Sequence, residues 1–353
     1  MKKIIVRSSK TYPIIISKDI LSNIYEYLFC ILKGNIAYII TDDVGDRVYC
    51  GTLTKALEEK GIHVFKYVIP NGEKSKNSDN YIAILNDMAA KGVSKADTVI
   101  ALGGGVPGDL AGFIAATYQR GLSLIQIPTT LLAAVDSSVG GKTAIDLKEG
   151  KNLAGVFYQP DIVICDLSLL KTLPNDIYTD GCAEVVKYGI LAGDSLFKKL
   201  KNPIKHQIED IVYNCIKIKK NIVQKDEKDT GLRQTLNLGH TIAHAIELLS
   251  GYTVSHGKAV AKGLHIIGKI SYTQGLCTKD CLTQITDILN SFGFNLDPLY
   301  SCGDIANAII MDKKRSNEYI NLVLINDIGQ CITKKTNMSD LNGYIKKAMD
   351  FRG

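Results

Sequence analysis

The sequence predicts an α/β N-terminal domain with a mainly parallel sheet, followed by a mostly α-helical C-terminal domain. The first half alternates short β-branched runs with amphipathic segments, whereas strand-like runs become rare past Leu173. The chain has 353 residues, which is longer than a single compact core usually accommodates. Hydrophobic residues make up 46% of it. We place the boundary in the segment LKTLP, which gives domains of residues 1–173 and 174–353.

Seven runs of the first domain are predicted as strands because they are short and rich in β-branched residues. They are IIVRS, YPIIIS, IAYIITD, HVFKYVIP, DTVIALGGG, LSLIQIPTT and DIVICDL. Helical patterns lie between several of them, for example at residues 47–61 and 78–92, and a glycine closes each in the C-cap position. This alternation implies a mainly parallel sheet covered by helices.

The second domain contains four long helical patterns, at residues 183–193, 210–228, 238–251 and 256–275. One segment departs from this character. NLVLIND, residues 321–327, is predicted as one short strand late in the helical domain.

Composition excludes several classes of function. The formal net charge is +6, but the lysines are scattered and form no basic stripe interleaved with aromatic residues, so we do not expect nucleic-acid binding. No apolar run approaches the roughly 20 residues that span a bilayer, and the start MKKIIVRSSK lacks the apolar core of a secretory signal. The nine cysteines include no CxxC pair, which favours reduced, mostly buried thiols of a cytoplasmic protein.

A glycine-rich turn follows the strand DTVIAL. The string G103-G104-G105-V106-P107-G108 fits the pattern G-x-G-x-x-G, in which backbone amides approach a phosphate. A single match is weak, since this one follows about the fifth strand and not the first. A tight turn without a ligand is the alternative. Pro107 is compatible with an early position in the following helix.

Residues 127–152 form a stretch that imitates a nucleotide-triphosphate loop at GGKT. The match fails because Asp136 stands where that loop needs its first glycine. The segment is therefore predicted as a polar, glycine-bearing loop offering Asp136, Lys142, Lys151 and Asn152. This set suits an anionic ligand, with ordinary solvated loop residues as the alternative.

The helical half carries a cluster of candidate metal ligands. Glu184 and Lys187 lie one turn apart on an otherwise apolar helix, either as a buried pair or as part of a site. Three of the six histidines fall between positions 240 and 256. Three protein ligands would leave a catalytic metal with open positions for substrate oxygens. Spacing does not decide which three residues ligate.

Arg233, Asn237, His240 and His244 are spaced by four, three and four residues. They form one helical stripe if their helix begins early enough, and otherwise Arg233 lies in the turn before it. The pair His240 and His244 resembles the His-Glu-x-x-His helix of zinc proteases, but no Glu lies between them.

Seven strings closely resemble motifs of the 3-dehydroquinate synthase family, in family order across most of the chain. They are PNGEKSK (70–76), GGGVPGDLAGF (103–113), PTTLLAAVDSSVGGKT (128–143), LKTLP (170–174), AEVVKYG (183–189), GLRQTLNLGHTIAHAIE (231–247) and HGKAVAKG (256–263). Members convert 3-deoxy-D-arabino-heptulosonate 7-phosphate into 3-dehydroquinate and phosphate in the shikimate route, with bound NAD and a divalent metal. The resemblance implies this activity, a Rossmann-like NAD site, zinc or else cobalt, and a cytoplasmic homodimer.

The resemblance assigns the metal to Glu184, His240 and His256, so His244 is not a ligand. It places Lys142, Asn152, His244 and Arg120 around the substrate phosphate, with Arg120 reaching across a dimer interface and Lys314 as a further contact. The remaining substrate residues are Lys142, Lys219, Arg233 and Asn237 at the carboxylate and neighbouring hydroxyls, and Asp136 and Lys187 at the reacting carbons.

The resemblance also implies a set of NAD contacts along the glycine turn and around it. They are Asp42, Glu73, Lys76, Gly104, Gly105, Val106, Gly108, Asp109, Thr129, Thr130, Lys142, Lys151, Leu169, Leu170, Lys171 and Thr172. In the implied reaction NAD takes up a hydride, phosphate leaves by β-elimination with its own oxygens accepting the proton, the hydride returns, and an aldol closure forms the ring. The cofactor can stay bound because there is no net redox change.

The sequence departs from the family pattern at five positions. Lys258 replaces a usual Glu beside His256, and Lys262 replaces an apolar residue. Pro107, Asn71 and Arg315 are also unusual. None of these removes an assigned ligand or substrate contact, although Lys258 is expected to affect the surroundings of the metal.

Three rival functions are open. Another sugar phosphate cyclase would act on a substrate without a carboxylate, and the presence of Lys219, Arg233 and Asn237 argues against it. A metal-dependent NAD polyol dehydrogenase would consume NAD stoichiometrically, and Glu184 together with the phosphate-binding set disfavours it. A catalytically inactive NAD-binding protein, suggested by Lys258, conflicts with the complete catalytic set.

Overall fold

The computed structural model describes residues 1–313 and 318–351 of the chain. Lys314, expected to contact the substrate phosphate, and Arg315 lie outside the described residues. The chain forms two compact units. The first consists of Met1–Pro174 with Lys219–Glu227, and the second of Asn175–Ile218 with Lys228–Gly353.

Strands dominate the first unit, where the described residues contain nine of them. They are β1 (Lys2–Arg7), β2 (Thr11–Ser17), β3 (Ile36–Asp42), β4 (His63–Ile69), β5 (Thr98–Gly103), β6 (Ser123–Pro128), β7 (Lys142–Leu147), β8 (Gly150–Phe157) and β9 (Ile162–Asp166). Seven form one sheet in the order β1-β2-β9-β6-β5-β3-β4. Only β1, at the edge of this sheet, pairs in antiparallel fashion.

This arrangement confirms the mainly parallel sheet expected from the sequence. Every residue of β5 and β9 is buried, which is the pattern of strands covered on both faces and explains their continuous apolar runs. The strand order reverses between β3 and β5, because β4 lies beyond β3 while β6 and β9 lie beyond β5. Sheets of this kind bind ligands outside the carboxyl ends of the strands at such a switch point.

Helices cover both faces of the sheet and enclose two apolar cores. Neighbouring residues of β3 point to opposite cores, Ile39 to one and Ile40 to the other. Asn77 caps the helix Ser78–Ala90 by accepting a hydrogen bond from the Asn80 N–H, at 2.9 Å. The helices of the first unit are α1 (Tyr25–Leu28), α2 (Asp43–Gly45), α3 (Gly51–Glu58), α4 (Ser78–Ala90) and α5 (Gly105–Thr117).

The second unit is mostly helical, as expected. Its helices are α6 (Asn175–Ala192), α7 (Asp194–Lys199), α8 (Ile208–Lys225, of which Lys219–Lys225 belongs to the first unit), α9 (His240–Leu249), α10 (His256–Thr273), α11 (Lys279–Ser291), α12 (Cys302–Lys313) and α13 (Met338–Asp350). Of the helices in the described ranges, none is both long enough and apolar enough to cross a bilayer.

Two predictions about strands need correction. Residues 142–157 do not form a polar loop, because β7 and β8 pair as an antiparallel hairpin in which Lys142 faces Phe157. The strand predicted at 321–327 exists as β10 (Tyr319–Asp327), but it is not alone, since it pairs with β11 (Gln330–Asn337). Three strands, β7, β8 and β11, are absent from the prediction. No residue of β8 is buried and β11 is largely polar, so neither shows the alternation of buried apolar and exposed polar residues that marks a strand.

The prediction that a single helix carries Arg233, Asn237, His240 and His244 is wrong. Arg233 and Asn237 lie in a 3-10 helix, Leu232–Asn237, and α9 begins only at His240. Between them Gly239 adopts a left-handed conformation with φ +79°, which ends one helix and redirects the chain into the next. The alternative, with Arg233 before the helix, is therefore correct.

Candidate active site

The first candidate site lies at the switch point of the parallel sheet. Asp42 ends β3, and its carboxylate accepts the Gly45 N–H at 2.7 Å, which caps α2. Gly103 ends the neighbouring β5, and Gly104 is the N-cap of α5. The Thr129 N–H donates to the Gly103 carbonyl at 2.9 Å, which brings the end of β6 to the same edge. Residues from three segments that are distant in sequence thus meet where parallel strands end.

The glycine turn is shaped by close neighbours. A Cβ on Gly103 would come within 2.7 Å of the Pro107 ring, and one on Gly104 within 3.3 Å of the Thr130 methyl. Pro107 itself occupies the first turn of α5, as the sequence analysis expected. The backbone therefore packs tightly and keeps the N–H groups at the start of a 13-residue helix available to an anion.

A buried lysine gathers several of the assigned cofactor residues. Lys76 Nζ lies 2.9 Å from Glu73 Oε1 and 3.2 Å from Asp109 Oδ2. Lys151 Nζ lies 3.7 Å from the same Glu73 oxygen. Burial raises the pKa of Asp109 to about 6, although Lys76 opposes the shift. The structure therefore brings Glu73, Lys76, Asp109 and Lys151 into one charged cluster beside α5.

A short 3-10 helix follows β9 after two intervening residues, and it consists of Leu169, Leu170, Lys171 and Thr172. The hydroxyl of buried Tyr49 donates to the Leu169 carbonyl at 2.9 Å and also contacts the Thr172 hydroxyl. The segment is thereby fixed at the carboxyl ends of the strands, where the resemblance requires it.

The assigned substrate residues of the first unit lie in three separate parts of that unit. Lys219 Nζ contacts the Asp136 carboxylate and donates to the Asp136 carbonyl at 2.8 Å. Lys142 begins β7 and Asn152 lies in β8, both with exposed side chains. Arg120 is exposed in a turn where Gln119 and Arg120 have φ values of +45° and +63°.

The second unit holds the candidate metal centre. Glu184 Oε1 lies 3.2 Å from His240 Nε2 and 3.1 Å from His256 Nε2. These three residues offer ligand atoms that all lie within 4.8 Å of one another. They come from α6, α9 and α10, so helices that are distant in sequence converge on one point.

The surroundings of the two imidazoles fix which nitrogen faces inward. His240 Nδ1 lies 3.1 Å from the Leu238 carbonyl, and His256 Nδ1 lies 3.6 Å from Glu247 Oε2. An outer carbonyl or carboxylate on one ring nitrogen is the usual support for a metal on the other. One carboxylate and two Nε2 atoms are also a donor set that zinc prefers. The residues present therefore fit a divalent ion.

Charge within this cluster is strongly coupled. Burial alone would raise the pKa of Glu184, but Lys187 and the two imidazoles hold it well below its usual range. Burial lowers the pKa of His256, yet its hydrogen bonds and charge interactions with Glu184 and Glu247 outweigh this and raise it to about 10. The carboxylate is thus anionic and ready to bind a cation.

Two features of the sequence allow the helices to approach. A Cβ on Gly263 of α10 would collide with the Gly239 carbonyl at the start of α9. At the start of α10, the Ser255 hydroxyl and the Lys258 N–H donate to Asp180 Oδ1 at 2.5 and 3.1 Å. Asp180 belongs to α6, so the carboxylate ties α6 to the first turn of α10 and positions His256.

His244 lies beside the trio, with its ring centroid 5.6 Å from that of His240 in an edge-on arrangement. It is not among the residues whose ligand atoms converge. Arg233 is buried in its 3-10 helix, whereas Asn237 is exposed at the end of the same helix.

The unusual residues can now be placed. Lys258 and Asn71 are exposed. Lys262 is 4% exposed, and its Nζ donates to the carbonyls of Asn295 and Asp297 at 2.6 Å each. A buried lysine is therefore accommodated at this usually apolar position because its ammonium donates to two carbonyls of the segment after α11.

Sequence reasoning missed Glu247, Asp180 and Asp146 as supporting residues. Glu247 follows His244 by three residues on α9, so helical spacing could have drawn attention to it. Asp180 and Asp146 act on residues far along the chain or through backbone N–H groups, and spacing gives no sign of either contact.

A parallel sheet with a glycine turn at its switch point and a helical unit with a Glu-His-His cluster define a class of α/β enzymes with a separate metal-binding unit. Residues 66–180 match the family model described as 3-dehydroquinate synthase N-terminal, and residues 181–315 match 3-dehydroquinate synthase C-terminal. The chain belongs to the 3-dehydroquinate synthase family, as its motifs indicated.

Individual relatives agree with this assignment. The chain is 44% identical over 328 residues to the 3-dehydroquinate synthase of Clostridium perfringens (strain 13 / Type A), covering 91% of this chain and 94% of that protein. A 2-deoxy-scyllo-inosose synthase complexed with carbaglucose-6-phosphate, NAD+ and Co2+ shares the fold, with a TM-score of 0.88, 23% identity and coverage of 98% and 99%. So does 2-epi-5-epi-valiolone synthase from Streptomyces hygroscopicus subsp. jinggangensis 5008 with NAD+ and Zn2+ bound, at a TM-score of 0.85, 20% identity and 98% coverage of both chains.

Proposed function

We propose that the chain converts 3-deoxy-D-arabino-heptulosonate 7-phosphate into 3-dehydroquinate and inorganic phosphate, a step of the shikimate route to aromatic amino acids. The observation that carries the proposal is the Glu184, His240 and His256 cluster in a chain of this family. Relatives named 3-dehydroquinate synthase are 44% and 41% identical over most of the chain, which supports this substrate.

Glu184, His240 and His256 hold the divalent metal, zinc or else cobalt. When bound, the ion acidifies substrate hydroxyls for oxidation as a Lewis acid. Glu247 orients His256, and Lys187 maintains the charge of Glu184. Glu184→Ala and His240→Ala should each abolish zinc binding in elemental analysis while the circular dichroism spectrum stays unchanged. His244→Ala, on the same helix as His240, is the matched control and should retain zinc.

The NAD contacts proposed are Asp42, Glu73, Lys76, Gly104, Gly105, Val106, Gly108, Asp109, Thr129, Thr130, Lys142, Lys151, Leu169, Leu170, Lys171 and Thr172. The amides at the start of α5 bind the pyrophosphate, which is the role that helix N-termini serve in such folds. When bound, NAD supplies a hydride acceptor that later returns the hydride. The neighbours with bound NAD+ support this assignment through their shared fold.

The substrate is held by residues with complementary charge. Lys142, Asn152, His244, Arg120 and Lys314 bind the phosphate, while Lys142, Lys219, Arg233 and Asn237 bind the carboxylate and hydroxyls. Asp136 and Lys187 line the reacting carbons, and the contact between Lys219 and Asp136 orients both. The departing phosphate accepts the proton through its own oxygens, so these residues position and stabilise charge more than they transfer protons.

The assembly proposed is a cytoplasmic homodimer in which Arg120 reaches the neighbouring site. Leu147, Leu153 and Val156 are 40%, 52% and 42% exposed on the β7–β8 hairpin, which is apolar surface suited to a second copy. All nine cysteines are free thiols, which supports a reducing compartment. The domains proposed remain residues 1–173 for NAD and 174–353 for metal and substrate. Sedimentation velocity tests the dimer.

The decisive test of the reaction is product identification. Zinc-loaded protein with NAD and 3-deoxy-D-arabino-heptulosonate 7-phosphate should give 3-dehydroquinate by NMR and one phosphate per substrate consumed. No turnover of this acid, together with cyclisation of a hexose or heptulose phosphate that lacks the carboxylate, would favour another sugar phosphate cyclase. Net NADH accumulation from a polyol without phosphate release would favour the dehydrogenase alternative.

A further inference from the structure

Asp146 is an acidic residue within the β7–β8 hairpin and is not among the residues proposed to bind substrate, NAD or metal. The hairpin pairs Ile145 with Ala154 and Leu147 with Gly150, so the register shifts at Asp146. A shift of this kind is a bulge, and bulges redirect a side chain out of the regular pattern. The Asp146 side chain is 18% exposed, and its direction is therefore set by neighbouring groups of the protein.

The first of these groups is the backbone of Asn152. Asp146 Oδ1 accepts the Asn152 N–H at 2.8 Å. Asn152 has φ +55°, a left-handed conformation that residues other than glycine rarely adopt. Asparagine tolerates this conformation better than most residues, but it still needs an external contact to hold it. The Asp146 carboxylate supplies that contact and so determines the direction in which the Asn152 side chain leaves the strand.

The second group is Lys76. The Asp146 N–H donates to the Lys76 carbonyl at 2.7 Å, and Asp146 Oδ1 lies 3.9 Å from Lys76 Nζ. Asn77 forms a bridge with Asp146 alongside this contact. Lys76 keeps two closer carboxylates, those of Glu73 and Asp109. Loss of the Asp146 carboxylate would therefore leave Lys76 paired, whereas Asn152 would lose the acceptor for its N–H.

We propose that Asp146 is a positioning residue that fixes the Asn152 amide for the phosphate group of the substrate. This inference rests on the proposed function, which assigns Asn152 to that phosphate. Asp146 acts through one hydrogen-bond acceptor and not through its charge. Its effect falls on phosphate affinity and leaves NAD affinity unchanged, because Glu73 and Asp109 hold Lys76 independently.

The test compares Asp146→Ala, Asp146→Asn and Glu149→Gln with the unmodified protein. Asparagine keeps an acceptor for the Asn152 N–H, while alanine removes it. Glu149 is an exposed carboxylate three residues later in the hairpin turn, so Glu149→Gln controls for loss of charge alone. Calorimetry measures the Kd of NAD and, separately, of inorganic phosphate for each zinc-loaded protein, and thermal unfolding measures its Tm. Turnover of the heptulosonate phosphate by the unmodified protein and by each variant is recorded in parallel.

We expect Asp146→Ala to weaken phosphate binding and raise the substrate KM about tenfold, the size of change set by about 1.4 kcal/mol. Its kcat, NAD affinity and Tm should change little, and the Asp146→Asn and Glu149→Gln proteins should match the unmodified protein. Unchanged phosphate affinity in Asp146→Ala overturns the inference. So does an equal loss in Asp146→Asn, a parallel loss of NAD affinity and Tm, or an unmodified protein that does not bind phosphate. Failure of the proposed function is seen separately, as absence of turnover in the unmodified protein.

Discussion

Lys187 lies one helical turn after Glu184 on α6, and its Nζ stands 2.5 Å from Glu184 Oε2 with both side chains buried. The other Glu184 oxygen faces the two imidazoles of the metal cluster. A buried carboxylate requires compensating positive charge, and here a lysine and a candidate metal position share one carboxylate. We therefore expect the stability of the second unit to depend on whether the candidate metal position is occupied.

Lys187→Met tests this link. Removing one partner of a buried ion pair costs about 3–5 kcal/mol when no other cation replaces it. We expect a loss of this order in urea unfolding with a chelator present, and a clearly smaller loss with saturating zinc, because the ion then supplies the positive charge. Lys217→Met, an exposed lysine of α8, should change neither curve. Equal losses with and without zinc would contradict the link.

Glu247→Gln tests the support of His256. The substitution removes the carboxylate that faces His256 Nδ1 at 3.6 Å, so the ring is less firmly oriented and less basic. Loss of such outer support typically weakens metal affinity about 10–100-fold. Competition with a zinc-binding dye measures the change. Asp287→Asn removes an exposed carboxylate of α11 and should leave affinity unchanged. Unaltered zinc affinity in Glu247→Gln would remove Glu247 from the account.

The raised pKa of Asp109 predicts that the free energy of unfolding depends on pH. Its pKa is about 6 in the folded protein against an ordinary value of 3.8, so the folded state binds the proton more tightly than the unfolded state. Protonation of Asp109 therefore increases stability as the pH falls from about 6 towards 4, and this stabilisation is lost as the pH rises through 6. The difference in unfolding free energy between Asp109→Asn and the unmodified protein should change in this window by up to about 3 kcal/mol. A constant difference from pH 4 to 7 would show that Asp109 titrates normally.

Lys262→Met separates structure from catalysis. The Lys262 ammonium donates to two carbonyls at 2.6 Å, and removal leaves both without that donor. We expect a loss of about 2 kcal/mol in unfolding free energy, with kcat and KM unchanged, because Lys262 is assigned no role in the site. Lys279→Met, at an exposed lysine that begins α11, serves as the comparison and should change neither stability nor turnover. A large fall in kcat for Lys262→Met at full occupancy of metal and NAD would show that the segment after α11 affects the reaction.

The sequence predicts the sheet well because its strands are buried on both faces. Runs such as IAYIITD read as continuous apolar segments, and that run coincides with β3. The same rule hides β8 and β11, because no residue of β8 is buried and β11 is mostly polar. The bulge at Asp146 and the return of Lys219–Glu227 to the first unit depend on tertiary contacts, which no local pattern records.

The metal cluster shows a similar division. Histidine spacing and the isolated Glu184 are visible in the sequence and indicate a cation site. The order of helices is less visible, because the left-handed Gly239 separates Arg233 and Asn237 from the helix of His240. Glu247 contacts a candidate ligand, and Asp180 accepts a hydrogen bond next to one. These contacts become recognisable only in the packed helices.

The central claim is that NAD is reduced and reoxidised within each turnover. The most direct measurement follows phosphate release and NADH absorbance together, with NAD far below the concentration of the heptulosonate phosphate. The account predicts many phosphates released per NAD and no net growth of the NADH signal. NADH rising in proportion to substrate consumed, or phosphate release that stops once each NAD has been used, would contradict it.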